Sequence, residues 1–394
     1  MGNNTNVSYK AWVYGIQEFE KANPKYRADM VSMTYGDVNT KLPTVVAAGT
    51  PPNVAEQDRY TIAGGAARGL MQDISAYAKT AGITGNDQQP WCWREVALQG
   101  KLYGLPFTTD SRMVFVNVNH LTRAGIATTA PKTLDEYTQI AQKLTTKQGN
   151  DFQQLGYAPW QNNWGMYGWG WLFGGDFYNA DKNQATLDDA KNIAALDWLG
   201  AQAKQLGYDA VQAFFNKQNR GDLFSRKQTL STSWEASDFT PVAMLQGNVP
   251  PEPSLDWAVW APPPPPGLDK TSTWSGGFAV VLPSAAKETD IAFTLMRYLS
   301  DDKFQLYQSK TGLVLPTIKS VAADAYWKTV DPRIKQCVDM LPFSHGRPAM
   351  PQINIMTTQL GAAQTDVLTG KKSPSQALQD ANQQVNLAIQ QNRY

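Results

Sequence analysis

Apolar residues recur along the chain at two spacings that alternate, and the alternation predicts layered helices and strands. Tyr9, Trp12, Val13, Ile16 and Phe19 fall on one face of a helix, with Ser8 as its candidate cap and Asn23-Pro24 as its stop. Met30 to Tyr35 reads as a short strand, followed by a helical segment to Ala48 that ends at Gly49 and the turn Thr50-Pro51-Pro52-Asn53. Leu102-Tyr103-Gly104-Leu105 and Met113 to Val118 continue the strands. Thr133, with Glu136 three residues on, opens another helix by a capping-box signature. Helical spacing returns in Ile193, Leu196, Leu199, Ala203 and Leu206, closed by Gly207, and again around Ile291, Leu295, Tyr298 and Leu299. Trp257 to Trp260 is a buried-strand candidate leading through Ala261 into five consecutive prolines. No helix or sheet interior accommodates that run, which reads as an extended crossing between lobes. A glutamine-rich amphipathic helix, Ser375 to Gln391, closes the chain. The pattern is that of α/β layers with largely parallel sheets.

At 394 residues the chain exceeds the usual size of one compact core, so two lobes are expected. The 35 Lys and Arg nearly balance 34 Asp and Glu, which argues against capture of nucleic acid or an anionic membrane and for a neutral or weakly charged partner. No run approaches the roughly 20 apolar residues of a membrane-spanning helix. Cys92 and Cys337 are read as unpaired or partly buried thiols, with a single bridge left open in an oxidising compartment. His120 and His345 are too few for a histidine-rich metal site and read as structural residues. Phosphate-binding glycine loops, zinc spacings, nucleophile elbows and kinase signatures are absent from the sequence, so no metal or cofactor is expected. The first residues, Met1 to Asn6, are polar and lack the succession of a signal peptide, which suggests a removed signal or a start downstream of the natural one.

Trp160, Trp164, Tyr167, Trp169 and Trp171 crowd into twelve residues, interleaved with Gln161, Asn162, Asn163 and several glycines. Sugar rings present C–H faces that stack on flat π-systems, while their hydroxyls need amide-like donors and acceptors at the rim. Glycine lets the backbone approach a ligand. This stretch is therefore the foremost candidate for carbohydrate contact, with Trp171 assigned to packing. Trp234, in Ser231-Thr232-Ser233-Trp234-Glu235, and Trp274, before Ser275-Gly276-Gly277-Phe278, are further candidate platforms. Glycoside hydrolysis needs two carboxylates across a sugar. Glu56 with Asp58, or Glu235 with Asp238, could be nominated, although carboxylates that hydrogen-bond sugar hydroxyls are the preferred reading.

The order of segments resembles the family 1 extracellular solute-binding proteins, the maltose-binding-protein-like group of ABC sugar importers. The resemblance runs through Gly15-Ile16-Gln17-Glu18-Phe19-Glu20-Lys21-Ala22-Asn23-Pro24, then Lys41-Leu42 through Gly49-Thr50-Pro51-Pro52-Asn53-Val54. It continues through Leu102-Tyr103-Gly104-Leu105-Pro106-Phe107, Met113 to Asn117, Gly276-Gly277 with Val280-Val281-Leu282-Pro283, and Thr311-Gly312-Leu313-Val314-Leu315-Pro316-Thr317. Each is a loose pattern; their order is specific.

The resemblance implies a two-lobed, type II periplasmic-binding-protein-like α/β fold that closes over its ligand by a hinge motion. The first lobe would comprise 1–110 and 275–313, the second 114–260 and 318–394, with crossings at 108–114, 260–274 and 313–320. It implies that Asp58, in Asp58-Arg59-Tyr60, accepts sugar hydroxyls and that Trp234 stacks on a ring. Asp110 and Arg112 would give polar contacts at the hinge strand, and Trp164, Tyr167 and Trp169 an aromatic wall. Trp274, Gly276 and Gly277 would sit where the chain returns to the first lobe, and Arg347 in a late loop that closes the cleft. The implied protein is a monomer in the periplasm or on the outer face of the cytoplasmic membrane, and it delivers a disaccharide or oligosaccharide to ABC permease subunits. An anionic sugar or glycerol phosphate, a secreted glycoside hydrolase using Glu235, and a lectin-like adhesion module stay open as alternatives. One departure is that family members begin with a β-strand, which would end about where Met1 falls, so the first-lobe sheet is expected to lack a buried member.

Overall fold

In the computed structural model, which describes residues 7–33, 35–149, 151–161, 164–217, 230–233 and 256–394, two sheets anchor separate halves. In one, Phe278–Val281 lies between Ala55–Asp58 and Gly104–Pro106, antiparallel to both. Its Ala279, Val280 and Val281 are buried under helices Val7–Ala22, Thr289–Tyr298 and Asp302–Gly312, in a core that includes Phe19, Ile62, Phe107 and Phe304. In the other, Met113–Asn117 lies between Leu230–Ser233 and Trp257–Trp260, again antiparallel to both. All of Met113–Asn117 is buried, as a strand covered on both faces must be. Helices Gly165–Leu172, Ala190–Leu206, Ile353–Leu368 and Pro374–Gln390 pack together as the principal core of this half. A third core holds Trp91, Cys92, Phe115, Trp257, Trp327 and Cys337.

The expectation of largely parallel sheets is corrected. Every strand pair in the two main sheets is antiparallel, and Thr273–Trp274 with Ser344–His345 is the parallel pair among the described residues. The cause is connectivity. Gly104–Pro106 and Phe278–Val281 are neighbours in one sheet, yet the chain between them passes through the other half. Strand direction is therefore set by a crossing segment rather than by a compact strand–helix–strand turn.

Several local expectations hold. Thr133 Oγ1 accepts from the Glu136 amide at 3.2 Å, and Glu136 reaches back to the Lys132 amide at 2.7 Å. Gly49 and Gly207 take φ of +71° and +85° at the ends of their helices. The first helix begins at Val7, so Ser8 lies within it rather than capping it. Its Gly15 is required by packing: a Cβ there would stand 2.8 Å from Leu299 Cδ2. The described residues of the segment read as a strand from Met30 to Tyr35 form none. Val31 is 76% exposed, Met33 is 46% exposed, and a helix starts at Tyr35. Among the described residues no strand lies beside this segment, and apolar alternation without a ladder partner does not hold a strand.

Cys92 and Cys337 are both free and buried, and desolvation pushes the Cys337 thiol up to about 12. His120 is a buried structural histidine, held down to about 4 by burial and then by Arg123.

Candidate ligand-binding cleft

Three chain segments run side by side between the two main cores. The Thr109 amide donates to Leu315 O at 3.0 Å, the Thr109 and Ser275 hydroxyls are 2.6 Å apart, and the Arg112 amide donates to Thr273 Oγ1 at 3.1 Å. Asp110 and Arg112, two residues apart on one strand approach, are each 2% exposed. Arg112 Nε and Nη2 donate to the two Asp110 oxygens, both at 3.2 Å, while Asp110 Oδ1 also accepts the Gly276 amide at 3.0 Å. The Arg112 guanidinium stacks over the Trp274 ring. A Cβ at position 276 would lie 3.0 Å from Arg112 Nη2 and 3.1 Å from Asp110 Oδ2, so Gly276 leaves room for this pair.

The aromatic residues that face one another across the junction do so around Arg347. Its guanidinium carbon is 3.9 Å from the Tyr60 ring centroid, 4.7 Å from Trp274 and 5.7 Å from Tyr167. Tyr60 stands just after the first-sheet strand Ala55–Asp58, Tyr167 stands on helix Gly165–Leu172 of the other half, and Trp274 belongs to the crossing. Burial raises the Tyr60 hydroxyl pKa against the opposing pull of Arg347, and pushes Tyr167 up to about 12. Both phenols are therefore neutral hydrogen-bonding groups. Arg347 Nε and Trp274 Nε1 are buried without a hydrogen-bond partner.

Of the tryptophan-rich stretch, Trp164 is 1% exposed and Trp169 2%, and they pack against each other with ring centroids 5.7 Å apart. Trp169 Nε1 is already committed to Pro159 O at 3.0 Å, and its ring lies against Trp198. Trp160 is buried beside Tyr208. Trp171, assigned to packing, is buried with its ring between Tyr167 and His345. Tyr167 is thus the member of this stretch joined to the Arg347 group. Asp58, half-buried at the end of its strand, lies next to that group, opposite Phe278 in register. Gly277 takes φ of +127°, and any Cβ there would collide with Thr108 O and Arg59. Trp234, Glu235, Asp238, Asn162 and Asn163 lie outside the described residues.

The sequence-level site residues did not include two groups that organise the junction. Arg59 is fully buried and donates through Nε to Glu95 Oε2 at 2.9 Å, and through its other nitrogens to Thr108 O and Gly276 O. Glu95 Oε1 accepts the Arg347 amide at 2.9 Å. Burial pushes the Glu95 carboxyl pKa up despite Arg59 beside it. Arg59 was visible next to Asp58; nothing in the sequence marks Glu95 as its partner.

Among the described residues no cluster of His, Cys, Asp and Glu is arranged to hold a metal ion. The other nominated carboxylate, Glu56, is half-buried on the first sheet, where desolvation pushes it up to about 7. No helix of the described residues is long and apolar enough to cross a membrane.

This arrangement, two α/β halves joined by crossing strands with aromatic and polar side chains meeting between them, has close counterparts. The structure of CpMnBP1 with mannotriose bound superposes with a TM-score of 0.80 at 20% identity, covering 96% of this chain and 97% of that one. The sugar-binding protein MalE from Xanthomonas citri does so with a TM-score of 0.80 at 20% identity, covering 98% and 95%. These likenesses establish the two-lobed fold of type II periplasmic binding proteins. In sequence, the galactooligosaccharide-binding protein of Bacillus subtilis (strain 168) is 23% identical over 358 residues, 85% of this chain and 76% of that protein. Residues 16–335 match the bacterial extracellular solute-binding protein family, most of the chain and both halves of the fold, and the chain belongs to that family.

Proposed function

We propose that this protein captures a disaccharide or oligosaccharide in the cleft around Tyr60, Tyr167, Trp274 and Arg347, and presents it to the permease of an ABC importer outside the cytoplasmic membrane. The observation that carries the reading is the convergence of three aromatic rings on one cation, with Arg347 Nε and Trp274 Nε1 left as unpartnered donors. Rings offer faces for sugar C–H groups and the donors suit hydroxyls; Trp274 is 2% and Tyr167 5% exposed, so the ligand would reach them when the lobes part. The relatives add support: one is described as galactooligosaccharide-binding, and another holds mannotriose.

In this reading the lobes are 1–110 with 275–313 and 114–260 with 318–394, and the crossings absorb the closing motion. Asp58 and Asp110 serve as polar contacts at the cleft, Trp234 adds a stacking face, and Trp164 and Trp169 support the wall from beneath. The protein acts as a reversible binder and not as a hydrolase. Of the nominated carboxylates, Glu235 and Asp238 lie outside the described residues, and Glu56 and Asp58 sit two residues apart on one strand rather than on opposite sides of a ligand. Arg112 already carries its counter-charge on Asp110, whereas Arg347 is in no ion pair among the described residues, so the salt response of binding separates a neutral ligand from an anionic one.

Native mass spectrometry of the purified protein tests this directly, followed by tryptophan-fluorescence titration with mannotriose, maltose and galactooligosaccharides. A saturable shift with one of them is expected. Overnight incubation that yields cleavage products, abolished in Glu235→Gln, would replace the binder with a hydrolase.

A further inference from the structure

We propose that the buried Arg59–Glu95 pair is the positioning element of the cleft, fixing Arg347 between Tyr60, Trp274 and Tyr167 from the opposite half of the molecule. Glu95 uses one carboxylate oxygen for Arg59 Nε and the other for the Arg347 amide, each at 2.9 Å. The remaining Arg59 donors end on the carbonyls of Thr108, at the start of one crossing, and Gly276, just after another. One guanidinium and one carboxylate therefore tie together the exit of the first-sheet strand, the helix Pro90–Glu95, the chain at Thr108 and at Gly276, and the loop that carries Arg347. The Trp91 ring, one turn before Glu95, lies 5.5 Å from the Arg59 guanidinium.

Two glycines make room for this junction. Gly277 avoids Thr108 O and Arg59 Nη1, and at Gly346 a Cβ would stand 3.0 Å from Glu95 Cδ and 3.1 Å from Trp91 Cβ. A buried ion pair is seldom more stabilising than well-packed apolar side chains of the same volume. Its bonds are directional, however, and here they end on separate chain segments, so the pair specifies where those segments stand. The Arg347 loop leads directly into helix Ile353–Leu368, whose Thr357 hydroxyl is 3.3 Å from that of Tyr167. A shift of the loop would therefore move the cation relative to rings on both sides.

The placement of Arg347 follows from these contacts alone, whereas its consequence for sugar affinity rests on the oligosaccharide reading. The test has two arms. In ligand-free protein, Glu95→Gln offers one acceptor oxygen to two donors, Arg59 Nε and the Arg347 amide, so hydrogen exchange at Arg347 should fall between wild type and Glu95→Ala. Glu95→Ala should exchange on the order of tenfold faster or more, with protection in Ile353–Leu368 unchanged. Gly346→Ala leaves both charges in place and crowds Glu95 and Trp91; it should reproduce the Glu95→Ala effect, and it carries the test if Glu95→Ala does not fold. Arg347 exchange unchanged in these variants would overturn the proposal whatever the ligand is.

In the second arm, with mannotriose as the probe, Arg347→Ala and Glu95→Ala should each weaken binding about tenfold, and the double variant no further than either. Losses that multiply would place the action of Glu95 elsewhere and overturn the proposal. A wild-type protein that binds none of the sugars tried refutes the oligosaccharide reading alone, and the exchange arm then decides the positioning role.

Discussion

The guanidinium carbon of Arg112 lies 3.5 Å from the centroid of the Trp274 ring while two nitrogens of the same group hold Asp110. The charge of Arg112 is neutralised by Asp110, and its guanidinium covers the Trp274 ring. Removing one partner leaves the other charge buried. Asp110→Asn or Arg112→Ala is expected to cost about 3–5 kcal/mol in urea unfolding. A cost under about 1 kcal/mol would mean that the pair is open to solvent.

Arg347 has a different role, since its guanidinium meets rings and its Nε is unpartnered. Arg347→Ala should weaken binding of the cognate sugar about tenfold or more, equivalent to about 1.4 kcal/mol. The affinity of wild type should change little between low and high salt, because a neutral ligand has no charge to screen. A steep salt dependence would point to an anionic ligand.

The tryptophans should separate by role. Trp169→Ala removes a ring packed on Trp164 and Trp198 and is expected to lose about 3–5 kcal/mol of stability, with the affinity of the folded fraction retained. Trp274→Ala, at a site equally buried, should lose comparable stability and in addition lower the affinity of the folded fraction. Equal losses of affinity in both variants would contradict the division.

Glu56 gives a pH signature. Its pKa moves from 4.5 to about 7 on folding, chiefly by desolvation. Between those values the folded protein keeps a proton that the unfolded chain has released, so stability falls as pH rises through this window. Glu56→Gln should therefore raise stability at pH 8, by up to about 3 kcal/mol, and not at pH 4. An equal gain at both pH values would show that the carboxyl is not the cause.

Much of the architecture could be read from local pattern. The capping residues Thr133 and Glu136, the closing glycines Gly49 and Gly207, and the buried strands Met113–Asn117 and Trp257–Trp260 depend on neighbours within a few residues. Met30 to Tyr35 misled because a strand needs a partner that its own sequence does not contain. Sheet direction misled similarly, since it is decided by where a crossing segment delivers the chain.

By itself the sequence determined the α/β alternation, the family order of segments and an aromatic, amide-rich chemistry suited to sugars. Only the tertiary structure decided which aromatic rings meet across the junction. The count of tryptophans reports how much π-surface exists, but whether a ring faces the cleft or the core depends on what its helix packs against. Trp164 and Trp169 pack on each other and on Trp198, while Tyr167 and Trp274, equally buried, meet Tyr60 around Arg347. Arg59 and Glu95 are 36 residues apart, and Glu95 and Arg347 are 252 apart. Such bonds leave no periodicity to read, because burial and direction are set by the closing of the whole chain.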